Sequence, residues 1–227
     1  MSSHSLKFYQ TTIGKKVIMA VSGLVLVGFV IGHMAGNLQI FLELAEKGKG
    51  QKALDDYAAF LHSMPALLWT ARIVLLASVS AHFWAAISLV RQNRAARPQG
   101  YARQATQVTT YAAKTMKFGG FIVLFFIIYH LLHLTLGTVA PAGFENGKVY
   151  ANVVSGFQNP AISGFYIVAQ LCLGLHLHHG VWSLMQTLGI NHENFNEGRR
   201  KVATLVAGLI TFGNISIPVA VLAGLLS

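Results

Sequence analysis

The sequence predicts an all-α integral membrane protein, a bundle of five transmembrane helices forming one domain over residues 1–227. Two observations lead there. Hydrophobic residues make up 54% of the chain and charged residues 11%, with a mean hydropathy of +0.54, whereas a soluble domain carries about 25% charged residues. Five apolar stretches are also long enough to cross a hydrocarbon core of about 30 Å at 1.5 Å per residue. They cover residues 17–38, 66–90, 118–139, 161–188 and 202–226.

The first stretch follows a short polar segment and is too long for the apolar part of a cleavable signal, so it is expected to remain as a span. Lys7, Lys15, Lys16, Arg91, Arg94, Arg97, Arg103, Lys114, Lys117, Arg199, Arg200 and Lys201 fall on one side of a five-pass topology. Lys47, Lys49, Lys52 and Lys148 lie in the connections of the other side. The positive-inside rule then places the N-terminus in the cytoplasm and the C-terminus outside. Basic residues sorted by loop, rather than gathered on one face, suit anionic lipid headgroups and give no reason to expect nucleic acid.

Residues 51–63 carry Leu54, Tyr57, Ala58 and Leu61 at helical spacing, which predicts a short amphipathic helix lying on the membrane interface. Pro65 marks the turn into the second span. The inner connection of residues 91–117, with Pro98 and Gly100, offers a docking surface or a lipid contact. Residues 141–160 are rich in Gly, Asn and Pro and read as an irregular outer loop. Cys172 stands alone in an apolar helix, which leaves no disulfide framework and no thiolate metal site. The loops are short, so chemistry on a water-soluble substrate requires another subunit.

The ten histidines carry the chemistry. His33, His82, His130, His133 and His176, with one or both of His178 and His179, fall inside spans, where ionisable residues face the bundle interior and mark ligands or pathways. Counting 1.5 Å per residue from each entry point, His33 lies about 24 Å and His130 about 18 Å from the inner surface. The second and fourth helices run the other way, and the same count puts His82 about 24 Å and His176 about 22 Å from the outer surface. Four antiparallel helices thus present two histidine pairs at two levels, the arrangement that gives two haem irons two axial imidazoles each. His133 lies one turn after His130, and His179 stands likewise to His176, so these remain alternate ligands. Gly28, Gly32 and Gly36 form a small-residue stripe around His33, read here as clearance for a macrocycle rather than as helix packing alone. Arg72, near the outer surface, is a candidate to pair a haem propionate, contact a quinone or snorkel. Ser22 is a candidate propionate donor, and Asn37 and His62 are candidate quinone contacts.

These residues resemble a known family, the single-chain, five-helix, di-haem cytochrome b anchor of succinate dehydrogenases and fumarate reductases. The resemblance covers nearly the whole chain. It rests on Gly32-His33-Met34-Ala35-Gly36-Asn37-Leu38 ending helix one, Ala81-His82, Tyr129-His130, and Gly164-Phe165-Tyr166-Ile167-Val168 running to His176 and Gly180-Val181-Trp182-Ser183. It implies that His82 and His176 ligate the proximal, inner haem b, and His33 and His130 the distal, outer one. It implies a flavoprotein and an iron-sulfur subunit on the cytoplasmic face, with electrons passing through both haems to menaquinone. It further implies a multi-pass place in the bacterial cytoplasmic membrane, room for a higher oligomer of the complex, and no succinate site in this chain. In some fumarate-reducing relatives a glutamate stands two residues before the helix-four ligand. This chain has Gly174 there and no Asp or Glu in any of the five stretches, which argues against a carboxylate proton path. The competing readings are a cytochrome b subunit of a hydrogenase or formate dehydrogenase, and a haem-free transporter or metal-binding membrane protein.

Overall fold

A computed structural model describes residues 7–96, 111–140 and 143–227. Helix α1 spans Thr12–Asn37 and tightens into a 3-10 segment, Leu38–Leu44. Then come α2 (Lys49–His62), α3 (Pro65–Ala95), α4 (Tyr111–His130), α5 (Val149–Phe157), α6 (Pro160–Thr187) and α7 (Asn196–Leu222). Among the described residues there is no strand. Five segments are long and apolar enough to cross a membrane: Thr12–Leu44, Pro65–Ala95, Thr115–Thr135, Pro160–Thr187 and Glu193–Leu222. Each contains most of one expected span. The inner connection holding Pro98, Gly100 and Arg103 falls largely outside the described residues, as does the segment with His4.

The starts of the helices follow from local chemistry. The Thr11 hydroxyl accepts a hydrogen bond from the Gly14 amide at 2.9 Å, capping α1. Pro65 and Pro160 occupy first-turn positions, where a missing N–H costs nothing. Asn159 Oδ1 accepts from the Ala161 amide at 2.9 Å, completing the cap of α6. Glu43 caps α2 from a distance, its carboxylate accepting from the amides of Gly48, Gly50 and Gln51 at 2.7 to 3.2 Å.

Residues 141–160, expected as an irregular loop, contain a helix. Three of its nine residues are Asn, Ser or Gly, and this composition hides α5. Tertiary burial overrides it, because Tyr150, Asn152, Val154, Gly156 and Phe157 are all buried. The Tyr150 amide donates to Asp55 Oδ1 of α2 at 3.2 Å, so one short helix caps the other. Burial first, then the Glu43 carboxylate, push the Tyr150 phenol up, and its hydroxyl donates to the Ser227 carbonyl at 3.3 Å. Asp55→Ala should behave like loss of a helix cap, costing about 0.5–2 kcal/mol, read as a lower unfolding temperature of the detergent-solubilised protein.

The bundle is apolar on the outside. Phe118, Leu76 and Phe212 are 77%, 70% and 78% exposed, which is expected where lipid tails rather than water are the solvent. Inside, α1 packs along α3, α4 along α6 and α6 along α7, while α1 also touches α6. At the end of the bundle that carries α2 and α5, Ile40, Leu54, Phe126, Tyr150, Phe157, Tyr166, Ile217 and Leu226 form one core cluster. Leu177, Ala207 and Ile210 form a smaller one farther along. Between the α1–α3 pair and the α4–α6 pair runs a long cavity, and the histidines lie in it.

Candidate functional site: two histidine pairs in one cavity

The cavity has a volume of about 1180 Å³, above the roughly 300–1,000 Å³ of an ordinary ligand pocket. Its walls are mostly aliphatic and aromatic, and among the described residues no Asp or Glu lines it. His33, His82, His130 and His176 all face it.

The histidines meet in two couples. His33 of α1 and His130 of α4 have ring centres 5.8 Å apart with planes at 86°. His82 of α3 and His176 of α6 have ring centres 6.2 Å apart with planes at 61°. A metal bound by two opposed imidazoles at about 2.0 Å per bond puts the ring centres about 6 Å apart, so both couples have the spacing of a bis-imidazole site. Among the described residues no three His, Cys, Asp or Glu side chains are arranged to hold a metal ion. Two imidazoles fall short of the four ligands of a bare zinc site, but they complete an iron whose other four positions a macrocycle supplies.

The His82 tautomer favours the same use. The Met19 carbonyl lies 3.1 Å from His82 Nδ1 and can only accept, so that nitrogen carries the proton and Nε2 keeps its lone pair for a ligand. Ser22, a candidate propionate donor, donates to the Ile18 carbonyl at 2.7 Å and lies 3.3 Å from His82 Nδ1. It supports the histidine and the backbone of its own helix. The Asn37 amide lies 3.1 Å from His33 Nε2, one turn along α1, so this candidate quinone contact is a neighbour of the histidine. His176 Nδ1 is buried without a hydrogen-bond partner, which leaves an apolar site one polar demand to satisfy.

Of the alternate ligands, His133 is 0% exposed and lies behind the cavity wall, with no histidine opposite; the wide π turn Leu131–Thr135 carries it there directly after His130. His179 lines the cavity one turn from His176, and its ring neighbour is Trp182. Arg72 is exposed, with its guanidinium 5.0 Å from the Trp69 ring centre, and does not line the cavity. His62 is exposed on α2 and its Nδ1 donates to the Ala58 carbonyl at 2.8 Å.

The glycine stripe works differently from expectation. Gly28 and Gly32 are exposed with nothing within 4 Å of an added Cβ, and neither lines the cavity. Gly36 lies under the Tyr57 ring, 2.8 Å from where its Cβ would sit, and is a packing glycine. Clearance beside the histidines comes instead from Gly23, whose Cβ would lie 3.3 Å from the His82 ring, and Gly120, whose Cβ would lie 3.7 Å from that of His176. A fixed four-residue spacing located a stripe but not the direction in which it points. Sequence reasoning also missed the role of Tyr166, whose hydroxyl lies 2.9 Å from His133 Nδ1 and 3.4 Å from His130 Nδ1. The Asn214 amide, which donates to Gln170 Oε1 at 3.1 Å on the cavity wall, was missed as well. A tyrosine nearly three turns before a histidine on one helix carries no signal of what it faces on another.

No family model and no solved structure matches the chain. A relative is found in Bacillus subtilis (strain 168), a protein named succinate dehydrogenase cytochrome b558 subunit. The two are 27% identical over 172 residues, which cover 74% of this chain and 76% of the relative. The resemblance first read from the histidine motifs therefore has a counterpart over about three quarters of the chain, and this five-helix chain is a relative of a succinate dehydrogenase cytochrome b subunit.

Proposed function

We propose that the chain is the membrane anchor and electron-transfer subunit of a succinate dehydrogenase or fumarate reductase. The observation that carries this reading is the meeting of four histidines from four helices in two couples, with ring centres 5.8 and 6.2 Å apart, inside one apolar cavity. His82 and His176 would hold one b haem, and His33 and His130 a second. Bound there, each group supplies one-electron redox chemistry.

The chain's own residues supply the rest. The Met19 carbonyl fixes the His82 tautomer, and Leu75, Val79, Phe83, Phe121 and Leu173 keep water from the couples. Along α6, Tyr166 at one level and His176 at the other are ten residues apart, about 15 Å of helix. The couples thus form two steps across the membrane. Lys16, Arg91, Arg94 and Lys117 line the cavity at the end opposite α2 and α5. By the positive-inside rule that end is cytoplasmic, where a flavoprotein and an iron-sulfur subunit would dock and deliver electrons. Electrons would leave near the outer leaflet to a quinone, with menaquinone the expected acceptor. The membrane is the bacterial cytoplasmic membrane.

The test is spectroscopic. The chain co-expressed with a flavoprotein and an iron-sulfur subunit from the same source and with ample haem should show two low-spin b haems in reduced minus oxidised spectra of the purified complex. A colourless complex would refute the reading.

A further inference from the structure

We propose that Tyr166 is a positioning residue for the His33–His130 couple: its hydroxyl accepts the Nδ1 proton of His130 and donates its own proton to Nδ1 of His133. This inference rests on the reading of His130 as a haem ligand and goes beyond it, since it assigns roles to Tyr166 and to the histidine that does not ligate.

The geometry supports a three-member relay. The Tyr166 side chain is buried, with its hydroxyl 2.9 Å from His133 Nδ1 and 3.4 Å from His130 Nδ1. Its ring cannot swing away, because Phe157 and Phe126 pack edge to face against it at 4.8 and 5.1 Å between centres. A phenol has one proton to give and lone pairs to accept with, so it can donate to only one of the two histidines. Two arrangements exist. If Tyr166 donates to His130, the proton of that ring must sit on Nε2, and the nitrogen that would meet a metal is blocked. If His130 donates to Tyr166, Nε2 is free and the phenol proton goes to His133. Ligation therefore selects the second arrangement.

It also accounts for an oddity. In that arrangement the His133 proton sits on Nε2, the nitrogen that is buried without a hydrogen-bond partner. Gly156 closes over the same edge, where a Cβ would come within 2.8 Å of Cε1 and Nε2. A fully buried imidazole with one nitrogen unmet is hard to justify as packing, since an apolar side chain would fill the space without an orphan. It is justified as the acceptor that fixes the direction of the relay.

A ligand histidine that donates its second N–H becomes a stronger base toward the metal and favours the oxidised state. Tyr166→Phe should therefore make the haem of this couple easier to reduce by about tenfold, a rise of about 59 mV in a one-electron midpoint. The haem of the His82–His176 couple should not move. His133→Leu should shift the same midpoint in the same direction. His133→Asn, which can place Oδ1 where Nδ1 stood, should restore it. Redox titration of the purified complex, followed optically and by the low-spin electron paramagnetic resonance signals, reads all three. Both midpoints unmoved in Tyr166→Phe, with both haems retained, would overturn the relay. Should Tyr166→Phe lose that haem, the His133 variants decide: equal shifts in Leu and Asn overturn it, and a shift in Leu alone sustains it. Failure of the underlying reading looks different, because the unmutated complex would then lack two b haems altogether.

Discussion

His176→Ala is expected to remove one of two b haems and leave the other, so that the b-haem amplitude in reduced minus oxidised spectra of the purified complex falls by about half, since two like haems share the signal. The couples are separate: among the described residues the histidine ring facing His176 is that of His82, on α3, and the one facing His130 is that of His33, on α1. Removing one imidazole would leave a bound haem with one histidine to hold it in an apolar cavity, and among the described residues no acid lines that cavity to replace it. His82→Ala should repeat the effect. His33→Ala and His130→Ala should remove the other haem, recognisable by its different midpoint. His179 is one turn from His176, so its rescue of the site is the outcome that would reassign the ligand. Likewise, retention of both haems in His130→Ala would move the assignment to His133.

Gly156→Ala should have the next largest effect, although Gly156 touches no ligand. The added methyl would lie 2.8 Å from two atoms of the His133 ring, which is 0% exposed and has nowhere to move. Overpacking of this kind costs about 1–3 kcal/mol, and here the displaced ring pushes on Tyr166 and through it on His130. Thermal unfolding in detergent should fall by several degrees, with the haem of the His33–His130 couple lost first. Gly28→Ala is the matching control, because nothing lies within 4 Å of its added Cβ. Equal destabilisation by both changes would show that glycine flexibility, not the fit around His133, governs the outcome.

The two predictions separate what could be read in the sequence from what could not. The spans were legible because hydropathy over twenty residues is a sum that single errors do not disturb. The pairing levels were legible because helix rise converts residue number to depth. Azimuth was not. Depth favours His130 over His133 only slightly, and the packed structure is what turns one toward His33 and the other toward Tyr166. The same limit explains Gly28 and Gly32, which have the right height and point outward, and Arg72, which has the right height and stacks on Trp69. The helix α5 was hidden for another reason, since Asn, Ser and Gly mark loops in water but are tolerated where neighbouring elements bury them.

The gap between the α1–α3 and α4–α6 helix pairs has a consequence for biogenesis. With α3 touching α1, α4 touching α6, and α1 joined to the other half through α6 and α7 among the described residues, the space between the two helix pairs is a cavity with little protein of its own to fill it. A prosthetic group bound by the folded state and not by the unfolded one stabilises the fold in proportion to the logarithm of its free concentration. The abundance of this polypeptide in a cell should therefore track the supply of porphyrin, with starved chains opening along that seam and reaching the quality-control proteases before they reach their partners.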